Sequence, residues 1–178
     1  MAITLTKEDG TGLPAANVYA DLADADQYLE NSDRKAAWRG FSSKERNAAL
    51  IQGADYLDQK FRRAFKGIRF SSAQRLEWPR SQVFDDLGVL VAADEIPEEI
   101  LNGSIEYAFE AARSPLAPTP VVDETGLQVT KKREKVDVLE EETTYSDSRK
   151  ASTVRAFPRA KLVIRRWLRP VGALTARI

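Results

Sequence analysis

The sequence contains no cysteine and no histidine. Without cysteine, disulfides, thiolate nucleophiles, iron–sulfur clusters and Cys-rich zinc sites are excluded. Without histidine, the commonest transition-metal ligand and the commonest acid–base group are also missing. No stretch reaches the about 18 consecutive apolar residues of a membrane-spanning helix, and the first residues carry no apolar run of signal-peptide length. We therefore expect no cofactor, no metal, no membrane contact and a cytoplasmic location.

The 178 residues are enough for one folded domain, and the hydrophobic and charged fractions, 43% and 30%, are those of soluble globular proteins. No phosphate loop, dinucleotide fingerprint or Gly-x-Ser-x-Gly elbow is present. Paired acids such as Asp85-Asp86 and Glu98-Glu99 leave a carboxylate-only magnesium or glycosidase site open, but such acids are far more often solvated. We predict no catalytic residues and no enzyme.

Charge is distributed unevenly along a chain whose net charge is zero. Residues 1–93 are balanced, residues 94–148 carry a net charge of −9, and residues 149–178 carry nine basic and no acidic side chains. Such a division indicates an electrostatic partner for the basic segment. That partner could be an acidic protein surface, a nucleic acid, or the acidic segment of a neighbouring copy.

Helical periodicity governs the first half of the chain. A stripe with spacing i, i+4, i+7, i+11 begins at Val18 and predicts a helix that starts near 19–21. A short helical turn over 34–39 follows, and Ser42 with Glu45 forms a capping-box pattern before a helix with the same spacing from Leu50. Pro97 opens a further helix that stops near Arg113. Its predicted buried stripe is Leu101, Ile105, Ala108 and Ala112.

The remaining segments lack this periodicity until the C-terminus. Residues 67–93 predict a long irregular connection, pinned by Trp78. Residues 121–145 are charged and β-branched, with Val136 and Val138 alternating with charge, and predict a hairpin that turns near 131–134. Phe157-Pro158 begins a last helix, which ends before Pro170. Its predicted apolar side is formed by Phe157, Ala160, Ile164 and Leu168, with the adjacent Val163 and Trp167.

The predicted fold is therefore mainly α: a small helical bundle with a long irregular connection, an extended β-hairpin insertion and a C-terminal basic helix. We divide the chain into an extended N-terminal arm (1–17), the bundle (18–116), the hairpin segment (117–156) and the basic helix with its tail (157–178). The apolar stripes of the earlier helices are expected to form a core without the last helix. Removal of 157–178 is therefore expected to change the thermal unfolding of the bundle little.

The basic helix carries the clearest candidate binding residues. Lys161, Arg165 and Arg169 are spaced i, i+4, i+8, and like charges at this spacing destabilise an isolated helix unless an anion lies against them. We predict a partner-binding surface with Trp167 and Leu168 as its anchor. Its members are Arg159, Lys161, Arg165, Arg166, Trp167, Leu168 and Arg169. The alternative is a solvated helix face that folds back on the chain's own acidic segment.

Several short motifs occur in an order and spacing that resemble a known family. They are the residues 18–29 (VYADLADADQYL), Ala37-Trp38, the 44–58 helix, the 76–81 segment (LEWPRS) and the 96–100 segment (IPEEI). Together, over about residues 17–116, they resemble the head-to-tail connector (adaptor) proteins of tailed bacteriophages, relatives of which are described as DnaT-like single-stranded DNA-binding proteins.

The resemblance implies a structural virion protein of the phage neck, which is in the host cytoplasm during assembly. Such connectors form a homo-oligomeric ring, usually of twelve copies, beneath the portal protein and dock a downstream neck or tail protein. Double-stranded DNA passes through the channel with weak contact during DNA packaging. The C-terminal part grips the portal, and Trp78, Pro79 and Arg80 match a loop motif for which a structural role is expected.

Two alternatives remain open. The DnaT-like label suggests a single-stranded DNA-binding protein of replication, although zero net charge and few interleaved aromatic residues weigh against tight binding. We interpret Trp38, Trp78 and Tyr56 as core residues; the alternative is base stacking on Trp78, which lies between Arg75 and Arg80. A capsid-assembly or tail-completion factor is the other alternative.

Overall fold

The computed structural model describes residues 3–117, 129–135, 140–145 and 156–170. The described part is mostly helical, which confirms the predicted fold class. The helices are α1 (Leu22–Leu29), α2 (Lys35–Arg39), α3 (Ser43–Phe61), α4 (Glu98–Arg113) and α5 (Pro158–Ile164), followed by a 3-10 turn (Arg165–Trp167). The strands are β1 (Ile68–Arg69), β2 (Arg80–Ser81), β3 (Val129–Lys135) and β4 (Glu140–Tyr145).

Capping side chains fix where α1 and α3 begin. The Asp21 carboxylate accepts hydrogen bonds from the N–H groups of Ala23 and Asp24, and the Asp24 carboxylate accepts one from the Asp21 N–H at 2.8 Å. Ser42 and Glu45 exchange the same reciprocal pair of bonds. These side chains satisfy N–H groups that a helix leaves without an internal partner. Both predicted helix starts are confirmed.

The core is built on the close approach of α3 and α4. A Cβ atom on Gly53 would lie 2.6 Å from the backbone oxygen of Ser104 and from the backbone nitrogen of Ala108. Only a glycine therefore lets the two backbones meet at this point. On its other side, α4 contacts α5 at Gly103, where a Cβ atom would collide with the Ile164 side chain. Helix α4 is thus packed against α1, α3 and α5.

Central packing makes α4 more buried than its apolar stripe predicts. Ile105 and Ala108 are buried as expected, while Leu101 and Ala112 are only half-buried. The buried surface also extends to residues outside the stripe. These are Ile100, Gly103, Ser104, Glu106, Tyr107 and Phe109.

Glu106 is a buried carboxylate in the middle of α4. It accepts two hydrogen bonds from the Arg34 guanidinium, at 2.6 and 2.7 Å, and one from the Tyr28 hydroxyl at 2.8 Å. A buried charge is tolerated when it is paired and hydrogen-bonded in this way. The group ties the segment before α2 to the centre of the bundle.

The C-terminal segment is part of this core, which corrects one expectation. Phe157, Ala160, Ile164 and Trp167 are buried, with Ile164 fully so. Backbone hydrogen bonds join the Lys66 N–H to the Trp167 oxygen at 2.9 Å and the Arg169 N–H to the Ala64 oxygen at 2.7 Å. The idea that removing 157–178 leaves the bundle intact is therefore wrong, because the bundle would lose one wall of its core.

The long connection after α3 is irregular, as predicted, apart from the short antiparallel pair β1–β2. The N-terminal arm folds onto the same unit, where Glu8 is buried and its carboxylate accepts hydrogen bonds from the N–H groups of Gly10, Gly12 and Leu13. By backbone contacts the chain forms two compact units. One comprises Met1–Pro115 with Phe157–Ile178, and the other comprises Leu116–Ala156.

The second unit contains the predicted hairpin, but the turn was placed wrongly. The segment 131–134 lies within β3, and its antiparallel register pairs Arg133 with Glu142 and Lys135 with Glu140. Charged residues are common both in turns and in the strands of two-stranded hairpins. The charge pattern could therefore not locate the turn. Val136 and Val138 lie outside the described residues.

Candidate functional site

A basic groove runs along α5 and the turn that follows it. Its volume is about 830 Å³. Five of its six charged side chains are cationic, and the remaining lining residues are leucines and prolines. The lining residues are Lys66, Asp86, Pro158, Lys161, Leu162, Arg165, Arg166, Leu168, Arg169 and Pro170.

The helix brings only part of the predicted basic row together. Lys161 lies on α5, and Arg165 directly follows its last residue, Ile164, with helical backbone angles, so the two side chains lie on one side. Leu168 is extended and pairs with Phe65, so Arg169 reaches the groove along an extended segment and its guanidinium donates to the Gly67 oxygen at 3.2 Å. The groove therefore assembles the three cations, but not as one helical row.

The cations differ in how far they are neutralised. Lys66 lies 3.4 Å from an Asp86 carboxylate oxygen, and Arg166 lies 2.8 Å from Glu99 and 3.8 Å from Asp86. Among the residues that the structure describes, Lys161, Arg165 and Arg169 have no carboxylate within ion-pair distance. All three are exposed, and of them Arg169 donates to a backbone oxygen, that of Gly67. Their charge is consequently available to an anion from solution.

Trp167 lies in the interior and not on the groove. It is 4% exposed, and its ring meets the Trp78 ring edge to face with centroids 5.9 Å apart. Its indole N–H donates to Glu99 at 3.1 Å. The side chain therefore anchors the C-terminal segment to its own chain, and this burial is incompatible with the predicted role as an interface anchor. The exposed aliphatic residue of the groove is Leu162.

Sequence reasoning placed Arg159 and Leu168 in the same surface. Arg159 is exposed but does not line the groove, whereas Leu168 lines it and is half-buried. Lys66, Leu162 and Asp86 were missed. Leu162 carried a signal, because it stands between cations and outside the buried Ala160 and Ile164 stripe. Lys66 and Asp86 carried none, because their proximity to α5 depends on the tertiary fold.

The Trp78-Pro79-Arg80 motif lies inside the molecule. Trp78 is fully buried against Phe65 and Trp167, so its indole has no free face on which a base could stack. The Trp78-Pro79 peptide bond is cis. Arg80 is buried and donates to the backbone oxygens of Lys66 and Gly67, at 2.8 and 3.0 Å, and to Glu77 at 3.0 Å. Burial lowers the pKa of Arg80, while Glu77 acts in the opposite direction.

A second polar cluster surrounds Asp58 on α3. Its carboxylate accepts hydrogen bonds from the Tyr19 hydroxyl at 2.6 Å and from the Glu77 N–H at 2.9 Å. Burial raises the pKa of Asp58 to about 7, and the nearby Glu77 and Asp55 carboxylates add to the rise. The adjoining cavity measures about 160 Å³ and also contains Arg62 and Arg75. These contacts connect α3 to the loop that carries Trp78. The backbone N–H of Trp78 donates to the Tyr19 hydroxyl oxygen at 3.1 Å.

In the described ranges, no three carboxylates are arranged so that they could hold a metal ion. Within the same part of the chain, no helix combines the length and apolarity that crossing a bilayer requires.

The comparison with protein-family models matches residues 3–178 to the family described as "Putative DnaT-like ssDNA binding protein". No curated protein and no solved structure matches the chain. The resemblance to the DnaT-like family is therefore confirmed, whereas these comparisons give no support to a connector, portal or virion role. Because the match covers nearly the entire sequence, the chain belongs to the DnaT-like single-stranded DNA-binding family.

Proposed function

We propose that the chain binds single-stranded DNA through the phosphates of its backbone, at the basic groove. The observation that carries this proposal is the pair of exposed cations Lys161 and Arg165, which have no acidic partner in the described part of the chain and share a groove with three further cations. A strand of phosphates supplies the missing counter-charge. The family match supplies the class of ligand.

The chemistry of the groove favours contact with the backbone over recognition of bases. Binding of phosphates releases condensed counterions, and the affinity for single strands then falls with salt at a log–log slope of about −0.7 per neutralised phosphate. Non-specific single-strand binders add stacking on exposed aromatic rings. The groove offers Leu162, Leu168 and two prolines in place of such rings. Binding should therefore be indifferent to sequence and strongly dependent on salt.

Fluorescence anisotropy with single- and double-stranded oligonucleotides over a salt series tests the proposal. Lys161→Glu with Arg165→Glu removes two phosphate contacts, so the log–log slope for single strands should become shallower by about 1.4. The matched control is Lys44→Glu with Arg63→Glu, which changes the net charge equally at exposed positions outside the groove. If the two double variants weaken binding equally, the groove is not the site, and if the wild type binds no DNA the proposal fails.

A second candidate function is the head-to-tail connector of a tailed phage, forming a ring with the portal protein above it. It is favoured by the order and spacing of the short motifs, and by a group of apolar side chains exposed on an ordered loop at 84–90. Co-sedimentation with portal-bearing heads tests it. Submicromolar, strand-selective DNA binding at physiological salt favours the first function, whereas portal binding with weak contact to either form of DNA favours the second.

A further inference from the structure

A short loop between Val83 and Val91 presents apolar side chains to solvent. Leu87 is 87% exposed, and Phe84, Val89 and Leu90 are each more than half exposed. The loop is nevertheless ordered by its own hydrogen bonds. The Val91 N–H donates to the Val83 oxygen at 2.9 Å, and one Asp85 carboxylate oxygen accepts from the N–H groups of Leu87 and Val89.

One flank of this loop is acidic. A depression of about 360 Å³ lies between the loop and the start of α4, and four carboxylates and several aliphatic side chains line it. We call its exposed part, formed by Val89, Leu90, Glu95 and Glu98, the acidic face. In the described part of the chain, Glu95 and Glu98 have no cation within ion-pair distance. The face therefore combines free negative charge with exposed aliphatic surface.

The basic groove has the opposite charge and a matching apolar element. Leu162 is 64% exposed and stands between Lys161 and Arg165, which have no acidic partner among the described residues. Arg166 lines both surfaces, and its ion pairs with Glu99 and Asp86 hold it at their boundary. Because both surfaces belong to the same compact unit and adjoin there, one cannot close on the other without rearrangement of that unit.

We propose that the acidic face of one copy docks on the basic groove of a second copy. Both halves of the contact are present on one chain: their charges are opposite in sign, and each half exposes aliphatic side chains. Complementary charge steers such an encounter, and removal of Leu90 and Leu162 from water stabilises it. A groove occupied in this way is closed to a phosphate backbone, a consequence that rests on the proposed DNA binding.

A charge-swap experiment in the full chain tests the docking without DNA. Glu95→Lys with Glu98→Lys reverses the charge of the acidic face, and Lys161→Glu with Arg165→Glu reverses the two groove cations proposed to meet it. Sedimentation velocity over a concentration series should show the wild type associating, more strongly at low salt, and each double variant remaining monomeric. An equimolar mixture of the two variants should associate again, because a contact between one variant and the other joins opposite charges at these positions.

The Lys44→Glu with Arg63→Glu variant is the matched control and should associate like the wild type. Far-UV circular dichroism and thermal melting confirm that each variant is folded. A wild type that stays monomeric at all concentrations, double variants that associate like the wild type, or a mixture that fails to recover would each overturn the proposal.

Added single-stranded oligonucleotide then tests the link to DNA. Dissociation of the wild-type assembly by the oligonucleotide is expected. Self-association that withstands saturating DNA shows that the two sites are separate and overturns only the competition. Self-association without any DNA binding refutes the proposed function and leaves the docking in place.

Discussion

Replacement of Trp167 by alanine tests whether the C-terminal segment belongs to the core. The indole is buried against Trp78, and its N–H bonds to Glu99, which also keeps an ion pair with Arg166 at 2.8 Å. Trp167→Ala removes the aromatic contact and opens a cavity beneath the turn. Glu99 is not left unpaired, so the loss comes mainly from packing.

The expected magnitude follows from the burial. Phe or Trp to Ala changes at buried sites cost about 3–5 kcal/mol, through lost transfer free energy and the remaining cavity. Typical domains have a free energy of unfolding of about 5–15 kcal/mol. The Trp167→Ala variant should therefore lose a large part of its stability. A tryptophan that only anchored a partner would cost the isolated chain about 0.5 kcal/mol or less.

Urea unfolding followed by far-UV circular dichroism measures this difference, because the fluorescence signal itself changes when a tryptophan is removed. The shift in midpoint multiplied by the slope m gives the change in free energy of unfolding. Leu162→Ala is the matched control: it lies in the same segment but is largely exposed, so its expected change is within about 0.5 kcal/mol. A loss below about 1 kcal/mol for Trp167→Ala would refute the assignment of this segment to the core.

Two further predictions concern α3. Gly53→Ala places a Cβ atom 2.6 Å from the α4 backbone and should lower the free energy of unfolding by about 1–3 kcal/mol or more, measured by thermal denaturation. The control Gly88→Asn should lower it much less, because a Cβ atom at Gly88 meets nothing within 4 Å. Equal effects of the two substitutions would contradict the close approach of α3 and α4. The pKa of Asp58 is raised to about 7 in the folded state, so between about pH 4 and 7 the folded state binds the extra proton, and this residue's contribution to stability falls as the pH rises through that window. Asp58→Asn should remove that contribution, so the free energy of unfolding of the variant, measured with urea, should rise relative to that of the wild type from pH 4 to 8. A difference between the two that stays constant with pH would refute the raised pKa of Asp58.

Local sequence signals were sufficient for most of the helical framework. The apolar stripe from Val18, the capping box at Ser42 and the proline at 97 are local signals, so the sequence locates these helices without knowledge of the fold. The apolar stripe of the last helix identified the buried Ala160 and Ile164 for the same reason. The turn of the hairpin was placed wrongly, because it was placed at a run of charged residues, and such runs occur in strands as well as in turns.

Only part of the candidate site could be predicted from the sequence. The spacing of Lys161 and Arg165 put two cations on one helix face, and in the described part of the chain both line the groove without a carboxylate partner. Trp167 was predicted as an interface anchor because it has arginine neighbours, but aromatic and arginine neighbours are typical of interfaces and of cores alike. Its burial depends on Trp78, which is 89 positions away in the sequence.

The sequence by itself determined the helical class, the start of each major helix and the uneven distribution of charge, because these depend on residues within a few positions of one another. Only the tertiary structure decided that Lys66 and Asp86 meet α5, that Glu106 is buried with Arg34, and that the last segment completes the core. These outcomes depend on which elements contact each other across the chain. Because burial and ion pairing are properties of such contacts, no local pattern in the sequence could assign them.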